Sequence, residues 1–177
     1  MKYDRRNESY NFILAHTTAL QPGSRVLFLG KGHSKNAVLL ARFGMHIEVL
    51  DSSDKELMRV QNEALEAEVF LVTRQTRIEY WQLPHTYDAI VLGNFPLPST
   101  KHRFLFEKIL ASLGPKGLIV GETWSEKNHE NELADNKDPY RFIALYMLFQ
   151  DLPCQLLKIN KELKENRYLM RFLVQKN

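Results

Sequence analysis

Val26-Leu-Phe-Leu-Gly-Lys-Gly-His-Ser-Lys-Asn-Ala-Val-Leu-Leu-Ala41 is the stretch on which the fold turns. The apolar run Arg25-Val-Leu-Phe-Leu29 opens onto Gly30, the pattern of a short buried strand. From Lys35 to Phe43 apolar residues recur at helical spacing (Ala37, Leu40, Ala41), and Gly44 supplies the stop. The segment between, Gly30-Lys31-Gly32-His33-Ser34-Lys35-Asn36, is therefore a strand-to-helix turn. Its glycines let the backbone bend sharply and approach a ligand with no Cβ in the way. The helix that follows offers unpaired N–H groups and a partial positive charge. Ile47-Glu-Val-Leu50 reads as the next strand and ends at Asp51, about twenty residues beyond the turn, where a carboxylate accepts both hydroxyls of a ribose.

The pattern repeats outward from this unit. Tyr10 to Leu20 carries Phe12, Ile13, Leu14 and Leu20 at helical spacing and ends at Pro22-Gly23. Asp54 to Ala67 is a second helix after the turn, with Leu57, Val60, Ala64 and Leu65 on one side and Ser53 or Asp54 as its cap. Val69-Phe-Leu-Val72 is expected as the third strand, Ala89-Ile-Val-Leu92 as another, Lys101 to Leu113 as a helix and Leu118-Ile-Val-Gly121 as a strand. Strands alternating with helices imply a parallel sheet with right-handed crossovers. The last third differs: a helix over Tyr140–Phe149 stops before Pro153. Gln155–Glu162 and Tyr168–Gln175 are then too close for a crossover and form a hairpin.

Composition limits the classes that remain. The 177 residues predict a single domain, 1–177, and 44% hydrophobic with 25% charged residues excludes a disordered or collagen-like chain. The single cysteine, Cys154, excludes an internal disulfide or a multi-cysteine metal cluster and fits a reducing, cytoplasmic setting. His16, His46 and His102 share no ligand spacing, so no metal site is expected. Apolar runs such as Ala37–Ala41 are far short of the ~20 residues that span a bilayer, and Met1–Ser9 is polar with no targeting core behind it. Twenty-four basic against 21 acidic residues permits a nucleic-acid partner without demanding one. The densest basic stretch, Lys158, Lys161, Lys164, Arg167, Arg171 and Lys176, is expected on a solvated hairpin face.

Two nucleotide cofactors compete for the turn. A dinucleotide fingerprint places its third glycine where this chain has Lys35, whereas the shorter Gly-x-Gly-x-Gly spacing of adenosylmethionine sites places it at Ser34, a small residue. A dehydrogenase also requires a substrate domain, for which the chain has no room. The spacing favours S-adenosylmethionine.

At these residues the chain resembles a known family. Val26–Ala41, Phe43-Gly44 and Val49-Leu-Asp-Ser-Ser-Asp54 are similar to the opening of class I S-adenosylmethionine-dependent methyltransferases, closest to the tellurite-resistance and thiopurine methyltransferase-like branch. Tyr87-Asp-Ala-Ile-Val91 with Leu97-Pro98, and Leu113-Gly-Pro-Lys-Gly-Leu-Ile-Val-Gly-Glu-Thr123, resemble the branch's later motifs, and the hairpin resembles its last two strands. The likeness covers nearly the whole chain. It implies an α/β Rossmann-like three-layer sandwich with a mostly parallel seven-stranded sheet ending in an antiparallel C-terminal hairpin. It also implies methyl transfer from S-adenosylmethionine, with cofactor contacts at Gly30, Lys31, Gly32, Ser34, Asn36, Asp51, Ser52, Thr76, Arg77 and Gly93.

The first motif is degenerate. The family carries an acidic residue where this chain has Phe28, a glycine at Ser34 and an acidic residue at His33. Its adenine-binding acid falls near Thr76, where Thr76-Arg77-Ile78 holds no carboxylate. Lys31 replaces a small residue close to the expected cofactor carboxylate, and the segment before Tyr10 is shorter than the family's substrate-side lid.

Methyl transfer is an in-line displacement in which positioning dominates. A thiolate or chalcogenide acceptor needs no base, whereas a hydroxyl or amine does, and Glu122 is the candidate, with His85, His129 and Arg77 at the expected mouth. Trp81, Trp124 and Phe95 are candidates for an apolar pocket or for the core, while Leu152, Pro153 and Leu156 mark Cys154 as buried and unactivated. Asn94-Phe-Pro-Leu97 poorly matches the Asn-Pro-Pro-aromatic motif of amine methyltransferases. The expected function is therefore methyl transfer to a small molecule, a thiol or a chalcogen oxyanion. The alternatives are a degenerate fold that binds a ligand or partner without catalysis, and amine methylation of nucleic acid or protein.

Overall fold

The structure is a computed structural model, described here for residues 12–30, 34–77, 80–82, 85–93, 102–124, 145–164 and 167–177. Helix α1 is seen over residues 12–17. There follow β1 (Arg25–Gly30), α2 (Ser34–Arg42), β2 (His46–Asp51), α3 (Asp54–Glu66), β3 (Val72–Gln75) and β4 (Tyr87–Gly93). Next come α4 (His102–Ser112) and β5 (Leu113–Trp124). Helix α5 is seen over residues 145–150, and β6 (Cys154–Lys164) and β7 (Arg167–Lys176) close the chain.

The strands form one seven-stranded sheet in the order β3-β2-β1-β4-β5-β7-β6. The first five pair in parallel, β7 runs antiparallel to β5, and β6 runs antiparallel to β7. Val26, Leu27, Phe28 and Leu29 are all buried because helices cover both faces of β1, which is why the strand reads as an unbroken apolar run. On one face Val26, Phe28 and Val49 pack with Phe12 and Ile13 of α1, Ala37 and Leu40 of α2, and Leu57 and Val60 of α3. On the other, Leu27, Leu29, Leu50 and Ile90 pack with Leu105, Phe106 and Ile109 of α4 and Leu145 and Phe149 of α5. The result is the Rossmann-like three-layer sandwich with an antiparallel terminal hairpin that the sequence implies. No described helix is long and apolar enough to cross a membrane.

Several boundaries differ from the sequence expectation. The third strand is not Val69–Val72 but Val72–Gln75. Helix α3 ends in a cap in which the Glu68 N–H donates to the Leu65 carbonyl and the Val69 N–H to the Ala64 carbonyl, with Glu68 at φ +54°. The chain therefore spends 67–71 leaving the helix, and Phe70 is left 86% exposed. Strand β5 begins five residues before the expected Leu118, because Leu113 already pairs with Tyr87 and an irregularity absorbs Gly114–Gly117. Ser53 occupies the N-cap position of α3 but makes no side-chain cap bond.

The largest correction concerns Arg171. Far from lying on a solvated hairpin face, it is 9% exposed and pairs across the sheet with Glu122. Next to it, Gly121 faces Phe172, and a Cβ at Gly121 would meet the Phe172 ring at 2.0 Å.

Candidate functional site

The carboxyl ends of β1 and β2 are where the parallel strands stop and α2 and α3 begin, and a cleft opens between them. Its floor is apolar: Phe28, Ala37, Val49, Leu57 and Val60. Its rim is polar: Gly30, Ser34, Asp51, Glu56 and Arg59. Gly30 adopts φ +90°, a conformation that a side chain disfavours, and this lets the chain turn from β1 toward α2. Asp51 is 7% exposed. Its Oδ1 accepts the Ser53 N–H at 2.7 Å, the local turn that launches α3. On the rim, Glu56 and Arg59 form an ion pair at 2.8 Å.

Three candidates from the sequence thus converge on this cleft: Gly30, Ser34 and Asp51. Thr76 lies beside them, its N–H donating to the Asp51 carbonyl at 3.1 Å. Gly93 is the register partner of Gly30, which puts the end of β4 next to the end of β1. Ser52 and Arg77 are exposed, and Arg77 lies 6.0 Å from the Tyr80 ring. Asn36 is buried at 3%, and its Oδ1 has no hydrogen-bond partner among the described residues. Lys31, Gly32, His33, Asn94, Phe95 and His129 lie outside the described residues, as does the side chain of Trp124.

A carboxylate at the edge of such a cleft is the kind of group that accepts ribose hydroxyls. Asp51 lines the cleft with a carboxylate of which a backbone N–H engages one oxygen, and the adjoining Gly30 presents bare backbone. Phe28 does not add to it. At 2% exposure the ring is part of the apolar floor and offers no polar group where the sequence resemblance expects an acid.

Glu122, the candidate base, is the register partner of Gly93. It is 5% exposed, and its Oε2 accepts the Arg171 Nε–H at 2.7 Å. Arg171 also lies 3.7 Å from Glu162 and 5.6 Å from the Phe12 ring of α1. Trp81 belongs to the core at 3% exposure. Cys154 is half-buried, burial pushes its thiol up from the ordinary value, and its Sγ contacts the Phe149 carbonyl at 3.6 Å.

Sequence reasoning missed a second buried carboxylate. In β2 the alternation sends Ile47 and Val49 toward α2 and α3, and Glu48 and Leu50 to the opposite face. Glu48 is 5% exposed and accepts from Arg74 Nε at 2.5 Å and from the Tyr87 hydroxyl at 2.8 Å. Burial, then the bond to Glu48, holds the Tyr87 hydroxyl well above the ordinary tyrosine range. The signal was available: a glutamate inside Ile-Glu-Val-Leu has to meet a cation or a donor.

No protein-family model matches the sequence, and no curated protein matches it either. Solved structures do match. The N-methyltransferase NodS from Bradyrhizobium japonicum WM9, in complex with S-adenosyl-L-homocysteine, superposes with a TM-score of 0.74 at 11% identity, over 99% of this chain and 89% of that one. The [4+2]-cyclase SpnF gives 0.75 at 12% identity, over 96% and 80%. TehB from Haemophilus influenzae gives 0.68 at 15% identity, over 96% of this chain and 62% of that one. At these identities the likeness is one of fold.

Proposed function

We propose that this chain is an S-adenosylmethionine-dependent methyltransferase acting on a small molecule. The convergence of Gly30, Ser34 and Asp51 on one cleft at the carboxyl ends of β1 and β2 carries that reading. The methyltransferases among its fold neighbours support it. Asp51 would hold the ribose hydroxyls, Thr76 and Arg77 would flank the adenine, and the Gly30–Asn36 turn and Gly93 would border the amino-acid portion. The cofactor supplies an electrophilic methyl on a sulfonium. The chain's own part is to hold that group and an acceptor in line, a positioning effect worth on the order of 7–11 kcal/mol.

The acceptor side favours a soft nucleophile. Glu122 is the candidate base at this end, and its Oε2 is engaged by Arg171. A thiolate or chalcogen acceptor needs no proton removed, so it suits a site whose candidate base is already engaged by Arg171. The second reading, a methyltransferase fold that binds a ligand without transferring a group, is favoured by Phe28 in the cleft floor. SpnF, named as a cyclase, illustrates that the fold serves other reactions.

Calorimetric titration with S-adenosylmethionine and S-adenosylhomocysteine tests the proposal. Micromolar binding that falls at least tenfold in Asp51→Ala is expected, since a hydrogen bond to a charged group contributes ~1.5–3 kcal/mol. No binding at millimolar ligand, or unchanged affinity in the variant, overturns the site assignment. Binding without methyl turnover against any acceptor, whether thiol, chalcogen, hydroxyl or amine, decides for the second reading.

A further inference from the structure

The sheet ends in two outer strands, β3 and β6, and the sequence treats them differently. An open strand edge is a template for another strand, and chains guard such edges with lysines, prolines and bulges. Strand β6 is guarded: it carries Lys158, Lys161 and Lys164, and its register with β7 shifts between Leu156 and Lys158. Strand β3, Val72-Thr-Arg-Gln75, has no lysine, proline or bulge. Its one charge, Arg74, engages Glu48 of β2, and no described strand pairs with its outer side.

Apolar side chains flank this open edge. Phe70 is 86% exposed, Leu65 77%, Met58 54% and Val72 37%. The Gln61 side chain of α3 donates to the Thr73 hydroxyl at 2.6 Å, which turns that flank of the helix toward β3. Met58 and Leu65 lie one turn before and one turn after Gln61 on the same flank. Val72, the register partner of Glu48, belongs to the opposite, α4 side of the sheet, with Phe70 two residues before it. Charge then orders the ends of the surface. Glu66 and Glu68 stand where the chain leaves α3 for β3, Arg74 and Arg77 where it leaves β3, and all four are exposed.

We infer that the β3 edge pairs with the same edge of a second copy of this chain, antiparallel about a two-fold axis. Antiparallel pairing sets the acidic end of each copy against the basic end of the other, whereas parallel pairing would set like against like. In a symmetric antiparallel pair, residues that face one another lie on the same side of the sheet, so the axis passes through one residue that meets itself. An axis at Arg74 would oppose two guanidinium groups. An axis at Thr73 opposes two threonines, a favourable cross-strand pair, and sets Val72 against the second copy's Arg74. Phe70 then becomes a diagonal neighbour of that same guanidinium, an arrangement suited to a cation–π contact. On the other side of the sheet the Met58–Leu65 flanks of the two α3 helices come together. The pairing is independent of the methyl-transfer reading. Because β3 has only four residues, the interface is small and the association is expected in the micromolar range.

Sedimentation equilibrium of the full chain across roughly 1–300 μM tests the pairing. The wild type is expected to pass from one chain's mass toward two. Phe70→Lys removes the ring and adds a cation near the second copy's Arg74, and should weaken the dimer about tenfold or more. Leu163→Lys, an equally exposed change on β6, should leave it unaltered. Thr73→Lys and Thr73→Glu each place like charges opposite one another at the axis, so each alone should stay monomeric, while an equal mixture of the two should dimerise. A wild type that stays monomeric at the highest concentration overturns the inference. So does a dimer indifferent to Phe70→Lys, which would be built on another surface, or a mixture that associates no better than either variant alone. Phe70 is the most exposed of these side chains, so its variant keeps the test decisive if the Thr73 variants do not fold.

Discussion

The two halves of the sheet each bury a carboxylate near the carboxyl end of a parallel strand, and they treat it in opposite ways. In the β1–β2 half, Asp51 meets a single backbone N–H among the described residues and lines a cleft. In the β5–β7–β6 half, Glu122 meets a guanidinium that is itself buried, with Phe12 against it. Position at a strand end is shared, so it cannot be what marks a site. The partner is: a buried acid whose partner is another side chain braces the sheet, whereas one that faces a cleft is available to a ligand.

The sharpest way to break this contrast is to remove the brace. Arg171→Met leaves Glu122 buried without its cation and is expected to cost ~3–5 kcal/mol in denaturant unfolding. The double variant Glu122→Leu/Arg171→Met should recover most of that loss, because an apolar pair of similar volume replaces the ions. A single variant that costs less than about 1 kcal/mol, the ceiling for exposed pairs, would show that the pair is no brace. One strand position away, Gly121→Ala pushes a methyl into the Phe172 ring and should cost ~1–3 kcal/mol. Adding Phe172→Leu should recover part of it. Neither change should move the affinity of the β1–β2 cleft for S-adenosylhomocysteine.

The same contrast explains what could be read from the residues alone. The β1–β2 half was legible because its signals are local: an apolar run, glycines and an acid, all within one strand-helix-strand unit. Its register then put Gly30 beside Gly93, as a parallel sheet requires. Pairing between distant residues was not legible. Glu122 and Arg171 become neighbours only through the antiparallel return of β7, and Glu48 meets Arg74 and Tyr87 only once the sheet order is known. Arg171 sits among Leu169, Met170, Phe172 and Val174, all buried, and that setting was the available hint that it faces inward. The misplaced β3 has a different cause. Val69-Phe-Leu-Val72 has strand composition, yet the cap of α3 consumes its first residues, and a helix end overrides local β propensity.

The smallest expected effect isolates the ligand-facing role of Asp51 from its structural one. Ser53 stands at the N-cap of α3, where Ser→Ala ordinarily costs ~1 kcal/mol through the lost cap bond. Here its side chain makes no such bond, while its N–H is held by Asp51 and its carbonyl accepts from Leu57 at 3.2 Å. Asp54 and Glu56 already face the helix dipole from the first turn. Ser53→Ala should therefore change stability by less than ~0.5 kcal/mol, the level of an ordinary surface substitution. Asp51→Asn keeps an acceptor oxygen for the Ser53 N–H but removes the charge, so it too should leave thermal unfolding nearly unchanged. If Asp51 serves a ligand, the two variants then part company in a titration with S-adenosylhomocysteine: Ser53→Ala binds as the wild type does, and Asp51→Asn loses roughly tenfold, the equivalent of about 1.4 kcal/mol. Equal binding by both would assign Asp51 to the α3 turn alone and would erase the difference between the two halves of the sheet.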